Sequence, residues 1–385
     1  MGTSDSYLPS SLSTEAITTS ITSLNLPTPI SIEPLQVRAA FHNIYLIHFP
    51  SSSDIPARSN PDGTITLVFR VSGQQLPGIK TRNEVGIMTW VRQNTTIPVP
   101  AVIHFDDTDD NPIKHEFTLL EKAPGVSVDQ IYDTLSDEDK TQLEGYVGGL
   151  TLDGDGNITH GPPIDENYWQ MPDLGKYWSD PEIKTKETLE SLNPIAPDGY
   201  PSYVDYTVCC LERYIHAITI HPTLKAYRDM IPSIRAFITN LQREENTADL
   251  NATTYILAHK DLHFANIMCD PSQSGCPITA VLDWEFSGVV PAPRWNPPRA
   301  FLWNVKWTDG DKAEQSRMEG LFENIVRERG AVWILQQMEL NGKQEQMQTA
   351  VNHIRAIVEV CPRGQAGEKV RHWRETAERA MDAFT

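Results

Sequence analysis

The sequence predicts an α+β protein of two lobes, a small β-rich N-terminal lobe carrying one helix and a larger, mainly helical C-terminal lobe. Three observations predict it. Strand-like stretches of period two crowd into residues 43–120, and a single helix-period segment, Thr81–Gln93, interrupts them. Beyond Glu121-Lys122-Ala123-Pro124-Gly125 the pattern turns largely helical. At 385 residues the chain is long enough for two such lobes. The reading sets a flexible extension at residues 1–30, the β-rich lobe at 31–122 and the helical lobe at 123–385.

Residues 1–30 are Ser/Thr-rich with prolines at 9, 27 and 29, the composition of a loosely attached segment. Asn43–His48 and Thr64–Val71 follow as strands separated by a Ser/Asp/Pro/Gly loop. In the second, alternation sets Ile65, Leu67, Phe69 and Val71 on one face and Thr66, Val68 and Arg70 on the other. The helix Thr81–Gln93 brings Val85, Met88 and Val91 into phase and stops at Ile97-Pro98-Val99-Pro100. Ala101–Phe105 and Glu116–Leu120 are two more strands joined by the acidic turn 106–112. Ser136, with Asp139 three residues on, marks a helix start. Asp153-Gly154-Asp155-Gly156-Asn157 resembles the start of a calcium loop, but Ile158 and Ile164 stand where that loop needs Gly and Glu, so a hairpin turn is expected.

Composition excludes several classes. A net charge of -19 repels a phosphate backbone, so nucleic acid is not the expected partner. No apolar run reaches the roughly 20 residues that span a bilayer. The polar N-terminus lacks the basic and apolar regions of a signal peptide, so the expectation is a cytoplasmic protein without stable membrane insertion. On that basis the sequons at Asn94, Asn157 and Asn251 carry no weight. Met1-Gly2-Thr3-Ser4-Asp5-Ser6 formally fits a short myristoylation pattern. Five cysteines without C-x-x-C spacing read as free thiols rather than a disulfide or zinc framework.

The chemistry concentrates after Tyr255–Ala258, a short apolar strand that runs into His259-Lys260-Asp261-Leu262-His263-Phe264-Ala265-Asn266. Every fixed residue of the pattern H-x-D-L-x-x-x-N is present, the pattern of a kinase catalytic loop. The spacing lets one carboxylate reach an acceptor hydroxyl while an amide oxygen of the same loop meets the metal that holds the phosphates. A second strand, Ile278–Leu282, ends in Asp283-Trp284-Glu285, with an Asp at the strand tip where such folds set their main magnesium ligand.

HKDLHFAN followed by LDWEFSG resembles the aminoglycoside phosphotransferase and choline kinase-like family, and the upstream RNEVGIMTWVRQNTTIPVPAVIHF and FTLLEKAPG are similar to that family's helix, strand pair and hinge. The likeness is greatest to uncharacterised fungal members and covers roughly residues 35–305. The resemblance implies a bilobal protein-kinase-like fold. It implies transfer of the γ-phosphoryl group from ATP, with Mg2+, to a hydroxyl of a small-molecule acceptor. Asp261 would orient the hydroxyl or act as base, and His263 would support the loop or border the acceptor. Asn266 and Asp283 would hold the magnesium, and Arg70 would contact phosphate while paired with Glu84. The backbone from Glu121 to Ala123 would meet the adenine, and His259 would be structural.

Two departures from the family pattern bear on the nucleotide site. Arg70 stands where the family has lysine, keeping the charge but changing its reach. The stretch Arg38-Ala39-Ala40-Phe41-His42-Asn43 has no glycine to wrap phosphates. They support an alternative, a catalytically impaired kinase-fold binding protein. A further alternative is a metal-dependent hydrolase built on His259-x-Asp261-x-His263. A protein-kinase reading lacks the Ala-Pro-Glu signature after Asp283. Glu285 reads either as a group behind the metal or as a turn cap. Trp169, Trp178, Trp295 and Trp303 read as core, and Arg294 and Arg299 as loop residues in solvent. No specificity motif is readable in Asp165–Gln242, so the acceptor stays unnamed.

Overall fold

A computed structural model describes residues 8–35, 41–51, 54–127, 151–156, 158–159, 161–178, 185–294, 308–365 and 367–384. The myristoylation pattern, the helix start at Ser136, Trp295, Trp303 and Arg299 lie outside the described residues. The chain divides into two compact units. The first comprises Met1–Ile164, Leu257–Val289 and Pro297–Ile325; the second comprises Asp165–Ile256, Val290–Asn296 and Val326–Thr385.

The first unit is built on an antiparallel sheet of five strands: β1 (Ser31–Pro34), β2 (His42–Phe49), β3 (Ile65–Ser72), β4 (Val102–Asp106) and β5 (Phe117–Glu121), in the order β1-β2-β3-β5-β4. One helix, α2 (Ile79–Asn94), lies between β3 and β4 in sequence. The expected alternation holds: Leu67, Phe69 and Val71 are fully buried on one face of the sheet together with Phe117 and Leu119. The opposite face sends Val68 and Leu120 into a second core, formed with Ile87, Met88 and Val91 of α2. Period-two strands covered on both faces need apolar residues at both parities, and β5, buried throughout, has them.

The N-terminal stretch corrects the sequence reading of a flexible extension. Residues Thr14–Ser23 form α1, started by Ser13, whose side chain accepts from the Ala16 N–H. Ile17 and Ile21, one turn apart, are fully buried in the core under the sheet. Each is worth about 2 kcal/mol of burial. Ser/Thr-rich composition concealed the pair because only two apolar positions are needed to dock three turns.

The catalytic-loop segment also joins the first unit, although the sequence boundary at 122/123 assigned it to the helical lobe. β6 (Val126–Ser127) pairs with β10 (Ile267–Cys269), which pairs with β11 (Ile278–Val281), giving the order β11-β10-β6. Leu262, Phe264, Ile267, Val281 and Trp284 then share the core of α2. The expected hairpin is present, β7 (Thr151–Leu152) pairing antiparallel with β8 (Ile158–Thr159) and residues 153–156 lying in its turn.

The second unit is mainly helical, with helices at Met171–Tyr177, Thr185–Leu192, Tyr203–Ile220, Ile231–Leu241, Glu244–Leu250, Gly342–Val360 and Glu368–Asp382. Asn341 and Gln344 make a reciprocal capping box at the start of Gly342–Val360, and Gln344 also donates to the Leu250 carbonyl. Arg363 bonds Asp173 at 2.7 Å and stacks over Trp169 at 4.2 Å. Trp169 and Trp178 are core, as read from the sequence. Among the described residues no helix is long and apolar enough to cross a membrane.

Candidate active site

The catalytic loop is anchored from behind by His259. β9 (Tyr255–Ala258) delivers this ring into a fully buried position, where Nε2 donates to the Leu282 carbonyl at 2.8 Å and the ring lies 4.5 Å from that of Trp284. Trp284 in turn donates to the Val281 carbonyl, and Ser287 donates to the His259 carbonyl. Burial pushes the imidazole down to about 4, so it is neutral near pH 7. Its Nδ1 is buried without a hydrogen-bond partner, in keeping with a neutral Nε2–H tautomer. His259 is therefore the structural residue expected.

Lys260 takes a left-handed backbone (φ 59°), and the Asp261 N–H closes a tight turn onto the His259 carbonyl at 2.7 Å. That turn leaves the Asp261 side chain partly exposed, at 36%. Asn266 donates through Nδ2 to the Asp261 carbonyl at 3.0 Å. With its nitrogen end so engaged, Asn266 has its amide oxygen left for a cation. His263 caps the short 3-10 turn Phe264–Asn266 by accepting from the Ala265 N–H at Nδ1. Its Nε2 then carries the proton and lies 3.8 Å from Asp261 Oδ1. Loop support beside the carboxylate is what this geometry gives His263.

β10 and β11 bring Asn266 and Asp283 together. Ile267 pairs with Val281, and the Leu282 N–H donates to the Asn266 carbonyl at 2.7 Å. Asp283 then leaves the strand with φ 63°, a conformation that costs a non-glycine residue about 1 kcal/mol and turns its carboxylate out of the ladder. One carboxylate and one amide oxygen on neighbouring strand ends form the hard-oxygen donor set that suits Mg2+. Such a site leaves most positions open to phosphate oxygens and water.

Arg70 reaches the same place from β3. It donates to Glu84 of α2 and, through Nη2, to Asp283 Oδ1 at 2.7 Å. Burial alone would push its guanidinium down; Glu84, Asp283 and Glu285 outweigh that and hold it raised. Burial raises the Glu84 carboxyl, against the pull of Arg70. The structure thus brings together Arg70, Glu84 and Asp283, and separately Asp261, His263 and Asn266, with β10 and β11 joining the two sets.

Sequence reasoning missed three polar residues around this cluster and left a fourth undecided. Lys80, 1% exposed, lies 3.2 Å from Glu285 Oε2, and His42 Nε2 lies 3.5 Å from the same oxygen. Asn83 donates to the carbonyls of Glu285 and Ser287, both at 3.0 Å. Glu285, fully internal, sits behind Asp283 and is no turn cap. Burial pushes its carboxyl up to about 7, with Lys80 opposing. A signal was present: Lys80, Asn83 and Glu84 continue the stripe of Ile87 and Val91 at spacings of three and four, so polar residues occupy the inward face of α2.

The Glu121 N–H is taken by the Ala101 carbonyl at 2.8 Å, and its carboxylate accepts from the backbone of Arg58 and Ala101. Lys122 and Ala123, past the end of β5, are the part of the hinge outside the ladder.

Two other readings are corrected. Residues 259–263 are not an extended strand, and their two imidazoles bond to Leu282 and Ala265; among the described residues no group of three or more His, Cys, Asp or Glu suits a metal. The hydrolase alternative loses its geometry. Arg294 is not a solvated loop residue but packs 4.6 Å over Tyr206 and 3.9 Å from Asp165 within the second unit, because an aromatic face and a carboxylate await it there. The cysteines are free thiols, with Cys210, Cys269, Cys276 and Cys361 buried.

Clavilactone A biosynthesis cluster protein Y of Ampulloclitocybe clavipes is 27% identical over 271 residues, 64% of this chain and 62% of that relative's length. The chain thus matches less than two thirds of this curated relative. Among solved structures, ADP-bound aminoglycoside phosphotransferase APH(2'')-Ib is similar at 13% identity, covering 96% of this chain and 99% of that one, with a TM-score of 0.47. The streptomycin–ATP ternary complex of APH(2'')-IIa is similar at 13% identity, covering 97% and 99%, with a TM-score of 0.46. The model of the phosphotransferase enzyme family (APH) matches residues 57–292, a stretch that contains Arg70, Glu84, Asp261, Asn266 and Asp283. This chain is a member of the phosphotransferase enzyme family.

Proposed function

We infer that this protein transfers the γ-phosphoryl group of ATP, with Mg2+, to a hydroxyl of a small molecule. The observation that carries the reading is the joining of Asp261, Asn266 and Asp283 through one pair of strands, with Arg70 on Asp283. Asp261 accepts or orients the proton of the acceptor hydroxyl, and its partial exposure leaves it reachable. His263 Nε2–H faces that carboxylate and restrains its rotation. Arg70 meets phosphate oxygens, fixed by Glu84. Asn266 and Asp283 hold the cation, which when bound neutralises charge on the transferring group. Lys122 and Ala123 offer their backbone to the adenine. Catalysis then rests on positioning and charge, with no covalent step on the protein.

The name of the fungal relative, a biosynthesis cluster protein, fits a hydroxylated metabolite as acceptor. A cytoplasmic setting fits an ATP-consuming reaction. Isothermal titration with Mg-ATP tests the nucleotide half: binding is expected, and no heat with the purified protein overturns the reading. Screening ATP consumption over sugars, aminoglycosides, choline-like amines and hydroxylated metabolites tests the acceptor half. Asp261→Ala should abolish transfer to any acceptor found while leaving Mg-ATP affinity within about threefold.

A further inference from the structure

The nucleotide cation Arg70 is bound between two carboxylates that come from different elements, Glu84 of α2 and Asp283 after β11. Asp283 is also the carboxylate a magnesium ion needs. Arg70 is already shared between Asp283, at 2.7 Å, and Glu84, so where α2 holds Glu84 bears on how much of Asp283 the guanidinium engages. We propose that Lys80 and Glu285, with His42 and Asn83, form a buried tether that fixes α2 against the 283–287 segment and so keeps Asp283 available to the metal-bound nucleotide. Lys80 and Glu285 are positioning residues in this proposal, which rests on the function proposed above.

Lys80, Asn83 and Glu84 stand at i, i+3 and i+4 on α2, so they share one face. All three are buried: Lys80, Asn83 and Glu84 are each 1% exposed. Each of the first two reaches the same short segment, Lys80 to the Glu285 carboxylate at 3.2 Å and Asn83 to the Glu285 and Ser287 carbonyls. His42 then links the tether to Arg70. Its Nδ1 lies 3.4 Å from Arg70 Nη2 and its Nε2 lies 3.5 Å from Glu285 Oε2. Lys80 Nζ lies 3.4 Å from the same Nε2, so both ring nitrogens of His42 meet the cluster.

Stability gives no reason to keep this arrangement. A buried ion pair rarely improves on apolar residues of the same volume, since desolvation offsets the attraction. Position 80 lies on the same inward face of α2 as Ile87 and Val91, which pack into an apolar core. What an apolar residue cannot do is select one register of α2 against the 283–287 segment. An ionic contact that is directional through Asn83 and charge-specific through Lys80 does select one.

The test is Mg-ATP titration of Lys80→Met, of Glu285→Gln and of the double variant, each with its folded fraction checked by thermal unfolding. Lys80→Met is expected to bind Mg-ATP about tenfold or more weakly, with the deficit shrinking as Mg2+ is raised. The double variant, which leaves no unpaired buried charge, is expected to fold and to show the same deficit, so it carries the test if either single variant does not fold. Arg82→Met, removing an ion pair to Asp107 on the exposed side of α2, is the control and should bind as wild type does. Folded Lys80→Met or double variant binding Mg-ATP with wild-type affinity at every Mg2+ concentration overturns the tether, leaving the proposed function standing. Wild type failing to bind Mg-ATP overturns the function and this proposal with it.

Discussion

Arg70 Nη2 donates to Asp283 Oδ1 at 2.7 Å across 213 residues of sequence, and the same guanidinium bonds Glu84. One cation thereby joins the sheet, the helix α2 and the strand end that follows the catalytic loop. Removing either acid leaves Arg70 buried without one of its two bonded carboxylates, a change costing on the order of 3 kcal/mol. Asp283→Ala should therefore lower stability and weaken Mg-ATP binding together, read by urea denaturation and calorimetric titration. Arg70→Lys keeps the charge but loses the planar fork that bonds Glu84 through one nitrogen and Asp283 through the other. It should lower Mg-ATP affinity by about tenfold, and an unchanged affinity would show that the fork geometry is irrelevant.

His259 makes stability depend on pH. Its folded pKa, about 4, lies below the ordinary 6.5 because burial disfavours the charged ring. The unfolded chain therefore takes up the proton first as pH falls, and folding opposes it. The contribution is complete above pH 6.5 and is lost between 6.5 and 4, amounting to on the order of 3 kcal/mol. Urea midpoints measured from pH 7.5 to 4.5 should fall more steeply for wild type than for His259→Gln. Parallel curves would assign the acid sensitivity to other groups.

Gly125 has no room for a side chain. Its φ is 90°, and a Cβ there would stand 1.9 Å from the Cys269 carbonyl oxygen. This is where β6 meets β10, so the clash falls on the strand that carries Asn266 at its start. Gly125→Ala should cost about 2–4 kcal/mol, from the positive φ and the overpacking together. A loss under about 0.5 kcal/mol in chemical denaturation would show that the backbone yields there.

α1 belongs to the folded core. Ile17→Ala and Ile21→Ala should each destabilise by about 2–4 kcal/mol, as fully buried isoleucines do. A loose extension would show no change in the unfolding midpoint of either variant.

Much of the candidate site's local geometry was legible in the sequence, because the 259–266 loop is held by fixed local spacing. Asp261, His263 and Asn266 lie within six consecutive residues, and a turn of that length has few conformations. Asp283 was readable because a short apolar strand ending in an acid marks a strand tip, and Arg70 because alternation in Ile65–Ser72 set it on the face opposite the main apolar stripe. The turn between β10 and β11, whose pairing joins Asn266 and Asp283, holds Pro271, Gly275 and Pro277, residues that mark a turn in sequence.

Long-range partnership was not readable. Nothing local tells α1 that Ile17 and Ile21 will find an apolar face, and composition argued the other way. Nothing in the 123–164 and 257–289 stretches announces that they join the β-rich unit, because core sharing with α2 is a property of three-dimensional packing. The buried ring of His42, Lys80 and Glu285 is the sharpest case. Those residues are 38 and 205 positions apart along the chain, each is ordinary on a surface, and only the tertiary structure removes them from water, pairs Lys80 with Glu285 and sets the His42 ring beside them. Local spacing dictates which groups can act; desolvation, which depends on the whole fold, dictates how strongly they are held.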